Sequence, residues 1–309
     1  IISGAYFGDK VSMMSDTTVL ASSTAEVPLF KHIKYMMYTT TPSLIIALIV
    51  FSISGFAASP ATAADTMAIE QALSQTYNLS PWLLIVPVLT GVLISRRLPA
   101  IVTLFASVTM AAIDMVIAQP EIIMSIAQSD SPSTMASIYA IVQAATGSTA
   151  IETGNTLLND LVATSGMGGM MDTIWLIICA MCFGGVMYGS GMLSAISQLF
   201  IRLARRTVSV VGSTVCSGLF FNLTTGDQYI SIILTCNLFR NLYDNSDLER
   251  RLLSRSVEDS ATVTSVLIPW NSCGMAQSTV LGVATLTYLP YCVFNYISPL
   301  MSILVAAIG

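Results

Sequence analysis

Apolar residues along this chain do not alternate or recur at helical spacing on one face; they run on unbroken. Tyr35 to Ala64 is uncharged, with an apolar centre at Leu44–Phe56. Leu79–Ser95, Leu98–Ala118 and Asp172–Ile201 follow, then Thr207–Phe239 and finally Ser260–Gly309. A helix needs about 20 apolar residues to cross a bilayer, so these runs predict membrane-spanning helices. Thr207–Phe239 is long for one helix, and the closing run must hold about two passes.

Composition turns that pattern into a fold class. Of 309 residues, 54% are hydrophobic and only 9% are Asp, Glu, Lys or Arg. That is about a third of the charge a soluble domain carries, and the mean hydropathy is +0.76. Twelve basic and 17 acidic residues cannot build a water-facing surface on this length. A soluble enzyme and a disordered chain are excluded. With a pI near 4.7 and no basic patch, so is a nucleic-acid binder. An all-α polytopic membrane protein is expected, with the lipid bilayer as its solvent. The chain starts at Ile1 inside an informative stretch and reads as a fragment lacking its N-terminal part, so no leader or lipidation signal is judged.

The few basic residues orient the spans. They fall at Lys10, Lys31/Lys34, Arg96/Arg97, Arg202/Arg205/Arg206 and Arg240–Arg255. The loops Ala57–Asn78 (Asp65, Glu70) and Gln119–Met171 (Glu121, Asp130, Glu152, Asp160) carry acids only. Positive-inside bias puts the basic clusters in the cytoplasm and these loops outside, and the alternation closes without contradiction up to Arg206. Thr207–Phe239 then has basic clusters at both ends. A re-entrant hairpin turning at Phe221–Gln228 satisfies this; a single tilted span is the competing reading. Non-helical backbone at such depth is tolerated only where protein or water covers it. Ser165–Gly169 reads as a flexible link. Gly185 and Gly189 fit close helix packing.

Six cysteines (Cys179, Cys182, Cys216, Cys236, Cys273, Cys292) lie in apolar stretches and read as small packing residues rather than a disulfide framework. One C-x-x-C and one histidine fall short of the about four ligands a zinc site needs.

Ionisable groups inside a membrane are costly and point to function. Asp227 is the one charge in Thr207–Phe239. Thr224, Thr225 and Gln228 beside it are oxygen donors, and Gly226 allows the backbone to bend. Hard cations such as Na+ want that environment; the alternative is a helix-capping Asp. The second group is Glu258-Asp259-Ser260-Ala261-Thr262-Val263-Thr264, running into Ile268-Pro269-Trp270-Asn271-Ser272-Cys273-Gly274. Pro269, Asn271 and Gly274 interrupt a helix there, as in transporters whose broken helices face a cation site. Asp259 is the better candidate of its acid pair and Glu258 reads as its solvated neighbour; an N-cap is again the alternative. The third group is Gly8-Asp9-Lys10 with Ser15-Asp16-Thr17-Thr18. Asp9 and Asp16 stand about two turns apart and share a face if the stretch is helical. Lys10 is either the buried counter-charge of Asp9 or a cytoplasmic anchor. His32, between Lys31 and Lys34, reads as part of that anchor.

Ser15–Thr18 parallels Glu258–Thr262. Each is preceded by a Gly-Asp pair (Gly8-Asp9, Gly226-Asp227) and followed by a Tyr/Pro helix start (Tyr38–Pro42, Tyr288–Pro290). Two degenerate halves of an inverted repeat would give this pattern. The chain then divides into 1–118, the end of the first repeat with its following spans; 119–171, an external acidic loop; and 172–309, the second repeat.

These motifs together resemble the NhaC family of Na+/H+ antiporters, part of a broader ion-transporter superfamily. The residues that carry the likeness are Gly4–Lys10 with Ser15–Thr18, Gly226-Asp227-Gln228-Tyr229, and Leu253-Ser254-Arg255 followed by Glu258-Asp259 through Pro269-Trp270-Asn271. One departure is Met13-Met14, where the family often has a Pro before Ser-Asp-Thr-Thr. The resemblance implies a longer N-terminus and an inverted-repeat secondary transporter in the inner (plasma) membrane, with re-entrant hairpins and broken helices. It also implies exchange of Na+ for H+ with no resident cofactor, and a homodimer is left open.

A carboxylate in a partly desolvated cavity can trade a proton for Na+ near neutral pH, which assigns ion binding and proton coupling to Asp9, Asp16, Thr17, Thr18, Thr225, Asp227, Asp259, Ser260, Thr262 and Asn271. Asp16, Asp227 and Asp259 are the expected metal-ion ligands, and Lys10 compensates charge. An organic-acid exchanger for malate or lactate is the nearest rival; Lys10 and Ser260–Ser265 would hold its substrate. An intramembrane protease is more distant. The aspartyl type has Gly-x-Gly-Asp where this chain has Thr224-Thr225-Gly226-Asp227, and the serine type needs a histidine within a span, where His32 reads as outside one.

Overall fold

The computed structural model describes residues 1–13, 15–57, 63–96, 98–203 and 206–308. Met14, the 58–62 part of the first acidic loop, Arg97 and Arg205, and the side chains of Asp65 and Asp160, lie outside the described residues. The described secondary structure is helical, apart from one isolated bridge between Thr149 and Thr164. In chain order the helices are α1 (Ile2–Val11), α2 (Asp16–Thr24), α3 (Leu29–Ala57), α4 (Ala63–Thr76), α5 (Ile85–Ser95), α6 (Ala100–Ala118), α7 (Pro120–Ala127), α8 (Thr134–Thr146) and α9 (Thr156–Val162). They continue with α10 (Met171–Gly189), α11 (Met192–Leu203), α12 (Thr207–Thr225), α13 (Gln228–Asn245), α14 (Arg250–Val257), α15 (Ser272–Leu281), α16 (Thr285–Tyr288) and α17 (Val293–Ile308). The expected all-α polytopic membrane architecture is what the chain adopts.

Among the described residues four helices are long and apolar enough to cross a membrane: Leu29–Phe56, Ile101–Ala118, Gly168–Gly189 and Thr207–Thr225. Two helix pairs pass the same test but bend, by 88° between Met67–Thr76 and Pro81–Ser95 and by 59° between Thr285–Tyr291 and Val293–Ile308. A proline stands at or near each bend, Pro81 and Pro290, where its missing N–H ends the ladder.

The chain forms two compact units, 1–58 with 172–309, and 59–171. In the second unit α5 packs on α6 and α7 on α8, the latter over Ile123, Ala136 and Ala140. The first acidic loop holds a helix, α4, and the second holds three. Its glycine cluster is a packed turn rather than a flexible link: Met167 N donates to Ala145 O at 2.9 Å. Gly166, at φ +53°, lies so close to Gly147 O that an added Cβ would sit 2.4 Å from it.

The first unit holds the polar motifs. α3 packs along α17, and α12 along α13. The latter two form the expected hairpin, with Gly226 at φ +67° as the turn and Thr214 and Tyr243 hydroxyls 3.1 Å apart across the arms. Its first arm, Thr207–Thr225, is itself long enough to cross. The run Asp172–Ile201 is two helices, separated at Gly191 (φ +75°).

Three local expectations are corrected here. Asp9 and Asp16 share no helix face, because Ser12–Ser15 separates α1 from α2 and Ser15 caps α2 by accepting from Thr18 N. Tyr38–Pro42 is no helix start: Pro42 lies inside α3. Gly185 and Gly189 face open space, and the close approach is at Gly184, where an added Cβ would meet Thr225 Cα at 2.9 Å. The spacing argument identified the helix but missed its packed face by one residue. Gly184→Val should therefore destabilise the protein by about 1–3 kcal/mol, while Gly185→Val stays within about 0.5 kcal/mol. Thermal unfolding of the purified variants in detergent reads this, and equal behaviour of the two would contradict the packing.

Candidate functional site

The site begins with a backbone defect. α14 runs to Val257, and the next five residues, Glu258–Thr262, form a π-helical turn before the chain breaks at Ile268–Asn271 and resumes as α15. Such wide turns inside a helix recur at functional sites. Ser256, Ser260 and Thr264 each donate to the carbonyl four residues back, at 2.7, 2.7 and 2.6 Å, which satisfies their hydroxyls along the helix. The predicted ligand Ser260 therefore faces α12, where Gly218 leaves it room: an added Cβ there would lie 2.4 Å from Ser260 Oγ.

Asp259 projects the other way and is fully buried. Its Oδ1 is ion-paired with Lys10 Nζ, and accepts from Ser298 Oγ at 3.0 Å and Thr39 Oγ1 at 3.2 Å. Lys10 is itself fully buried; it donates also to Ser298 Oγ at 2.9 Å and lies 5.7 Å from the Phe294 ring centroid. Asp259 Oδ2 has no partner. One side of the carboxylate is thus held by charge and hydroxyls from α1, α3 and α17, and the other is free.

Glu258, expected to be solvated, is fully buried instead. Thr17 and Thr18 donate to its Oε1, each at 3.4 Å, and its Oε2 has no partner. Thr17 Oγ1 is also 3.2 Å from Asp9 Oδ2, so its single proton serves one carboxylate at a time. Thr262, a predicted ligand, is buried on the same turn.

A second polar cluster forms at the hairpin tip. Asp227 caps α13, its Oδ1 accepting from Tyr229 N at 2.9 Å and Ile230 N at 3.1 Å, and its Oδ2 accepts from Ser272 Oγ at 3.2 Å. The capping alternative is thus what the geometry displays. Thr225 Oγ1 donates back to Phe221 O at 2.8 Å. Asn271 caps α15 and donates to Asn222 O at 3.2 Å, which ties the helix break to the hairpin. Gln228 Oε1 accepts from Ser265 Oγ at 3.2 Å and Asn222 Nδ2 donates to Thr264 Oγ1 at 3.1 Å, which link this tip to the residues just after the π turn.

The structure thus gathers Lys10, Asp259, Thr17, Thr18 and Asp9, though Asp9 is itself exposed. Lys10 pairs with Asp259 rather than with its neighbour Asp9. Asp227, Thr225 and Asn271 sit in the hairpin cluster, and Asp16 is exposed at the start of α2. Asp16, Asp227 and Asp259, the expected metal-ion ligands, stand in separate surroundings, and among the described residues no group of three or more His, Cys, Asp or Glu is placed to hold a metal.

The residues the sequence did not single out are Glu258, Thr39 and Ser298. Thr39 lies three residues before Pro42 and Ser298 immediately before Pro299, the two prolines inside α3 and α17. A hydroxyl beside a proline in an apolar run was the available signal. His32 is no surface anchor: it is fully buried inside α3, with Nδ1 2.8 Å from Ser254 Oγ. It therefore lies within a helix long enough to span, against the expectation. Ser254 is buried too and donates to Arg251 O at 3.1 Å, so it offers no open nucleophile. The six cysteines are free, and Cys179, Cys182 and Cys216 are exposed rather than packed.

With this geometry in hand, the comparisons with known proteins are specific. The family described as the Na+/H+ antiporter family matches residues 4–309. The chain is 36% identical over 308 residues to "Na(+)/H(+) antiporter NhaC" of Bacillus subtilis, covering 99% of this chain and 65% of that one. To the protein of the same name from Alkalihalophilus pseudofirmus it is 32% identical over 309 residues, 100% of this chain and 64% of that one. To the "Malate-2H(+)/Na(+)-lactate antiporter" of Bacillus subtilis it is 33% identical over 300 residues, 96% and 61%. The chain therefore spans less than two thirds of the length of each of these relatives. No solved structure matches it. A match along nearly the whole chain, over a helical membrane fold with a buried carboxylate site, places the chain in the Na+/H+ antiporter family.

Proposed function

We propose that the protein exchanges Na+ for H+ across the plasma membrane, and that Glu258 and Asp259 are where the two ions compete. The observation that carries this reading is a pair of adjacent, fully buried carboxylates, each with one oxygen unpartnered (Glu258 Oε2, Asp259 Oδ2). With Lys10 charged and both carboxylates ionised, the pocket holds one net negative charge in a poorly solvated interior. That state is costly. One cation of either kind, a proton on a carboxylate or Na+ against the free oxygens, neutralises it. Neutralisation by one excludes the other, which couples the two fluxes. Na+ favours hard oxygen ligands, and Thr17 and Thr18 hydroxyls stand beside the carboxylates to contribute them.

Lys10 and the hydroxyls of Thr39 and Ser298 hold Asp259 Oδ1, so the free oxygen keeps a fixed position. The end of α1 at Val11, the start of α2 at Asp16 and the break between α14 and α15 flank the site, and α1/α2 and α14/α15 can pivot there to open it to either side. Asp227 and Asn271 act in this scheme as positioning residues that fix the hairpin against the second break. Na+ and H+ are cargo, and the cycle needs no resident cofactor. We expect a homodimer with lipid as the surrounding solvent.

The similarity to a malate/lactate antiporter raises an organic-acid substrate as a second reading. Lys10, the cation such a substrate would need at this site, is already committed to Asp259, and this favours the cation exchange.

Two outcomes test the proposal. In everted vesicles or proteoliposomes containing the full-length protein, Asp259→Asn should reduce Na+-driven proton movement to the level of empty membranes, and Glu258→Gln should lower it at least about tenfold, more than 1.4 kcal/mol of coupling. Wild-type rates in Asp259→Asn would remove the assignment. Lys10→Met should cost about 3–5 kcal/mol of stability, because it strands a buried charge. Adding Asp259→Asn to Lys10→Met should return most of that loss. Thermal unfolding in detergent checks this, and additive destabilisation would show that the pair is not what Lys10 supports.

A further inference from the structure

The basic residues Arg240–Arg255 were expected to face the cytoplasm together, yet Arg255 is buried. It is 1% exposed, and its Nε and Nη2 have no hydrogen-bond partner. Its guanidinium lies over the Tyr35 ring, 4.8 Å from the centroid, and Arg251 lies over the same ring at 4.7 Å. Arg251 is neutralised by an ion pair with Glu249. Arg255 has no ion-pair partner among the described residues. A ring quadrupole offsets part of a guanidinium charge, but it does not satisfy in-plane N–H donors, and a buried charge left without a counter-ion is unstable.

Arg255 also lines an open cavity of about 590 Å³ bordered by residues of α3, α14 and α17, the link before α14, and Thr207 at the start of α12. Tyr35 and Tyr38 line it, and Leu252, Val305 and Ala306 make much of the rest apolar. Asp247 and Glu249 line it as well; Asp247 is exposed, and Glu249 is bonded to Arg251. The buried charge at the wall is therefore positive, and among the described residues no anion pairs with it.

We propose that this cavity is an anion-binding site in which Arg255 receives an oxyanion, a carboxylate or a phosphate. The planar fork of a guanidinium matches two oxygens of such a group; Nε and Nη2, the two nitrogens of one edge of that fork, are buried without a partner, and an anion in the cavity pairs with them once the guanidinium turns that edge toward it. Tyr35 lies against the face of the guanidinium, and Tyr38 lines the same cavity. Two sources share this chemistry. One is a soluble anion such as a dicarboxylate or inorganic phosphate. The other is the headgroup of an anionic phospholipid, whose acyl chains the apolar wall would take. The site is distinct from the carboxylate pair, so it stands whether or not Glu258 and Asp259 exchange Na+ for H+.

The test is equilibrium binding to the purified full-length protein in uncharged detergent, with malate, inorganic phosphate and short-chain phosphatidylglycerol as separate probes. At least one should bind saturably. Arg255→Gln should weaken it tenfold or more, and Arg255→Lys, which keeps the charge and loses the fork, should fall between. Saturation by phosphatidylglycerol alone makes this a lipid site; saturation by malate or phosphate makes it a site for soluble anions. The assay reads anion binding alone, with no Na+ or proton movement, which separates this proposal from the antiport assignment. The proposal is overturned if no probe binds saturably to the wild type. It is equally overturned if binding is unchanged in Arg255→Gln and Arg255→Lys proteins whose unfolding midpoints show that they are folded.

Discussion

The ion pair between Lys10 and Asp259 is the interaction on which the rest of the first unit depends. Both side chains are fully buried, and desolvating two charges is repaid only when the geometry is good and the remaining hydrogen bonds are made. That requirement draws α1, the π turn after α14, α3 and α17 to one point, since they supply Lys10, Asp259, Thr39 and Ser298. The same unit shows an inverted distribution of polarity. Its largest fully buried side chains include Arg255, Lys10, His32 and Glu258, whereas Ile45, Leu48, Ile49 and Ile53 of α3 are exposed. In water that arrangement would be unstable. In lipid it is the expected one, because apolar surface costs nothing there and charge must be enclosed.

Local backbone chemistry explains why free oxygens survive inside such an interior. A regular helix through Glu258–Thr262 would place each side chain one turn from its neighbours on a fixed face. The π turn changes that phase, directing Ser260 toward α12 while Glu258 and Asp259 face α2 and the Lys10 pair. Gly218 makes the close approach of α12 possible at that level. Pro42 and Pro299 interrupt the hydrogen-bond ladders of α3 and α17 next to Thr39 and Ser298. The hairpin tip then locks the second helix break from the other side, through Asn271 to Asn222 and Ser272 to Asp227.

Much of this was legible in the sequence, for reasons that differ between residues. Unbroken apolar runs gave the membrane class, and the paired basic clusters around Thr207–Phe239 gave the hairpin. Lys10, Thr17, Thr18 and Asp259 stood out because polar groups at membrane depth have few alternatives. Glu258 did not, because a carboxyl at the edge of an apolar run looks the same whether it faces water or protein; only packing against α2 decides. Asp227 was conspicuous by depth, but an N-cap and an ion ligand need the same residue type at the same kind of break. Asp9 and Asp16 failed as a pair because α1 ends at Val11 and α2 starts at Asp16, which undoes a spacing argument that assumes one helix. Gly184 shows the same limit: neighbouring glycines are equivalent in sequence, and which one meets the backbone of α12 depends on helix rotation.

The central claim is that a proton and Na+ compete for one buried negative charge shared by Glu258 and Asp259. The most direct measurement is the affinity of the purified protein for Na+ as a function of pH. Competition by one proton predicts that, on the acidic side of the site's titration, the apparent Kd rises about tenfold for each unit that pH falls, and that Asp259→Asn abolishes the saturable component. A Na+ affinity independent of pH, or one that Asp259→Asn leaves intact, would contradict the account.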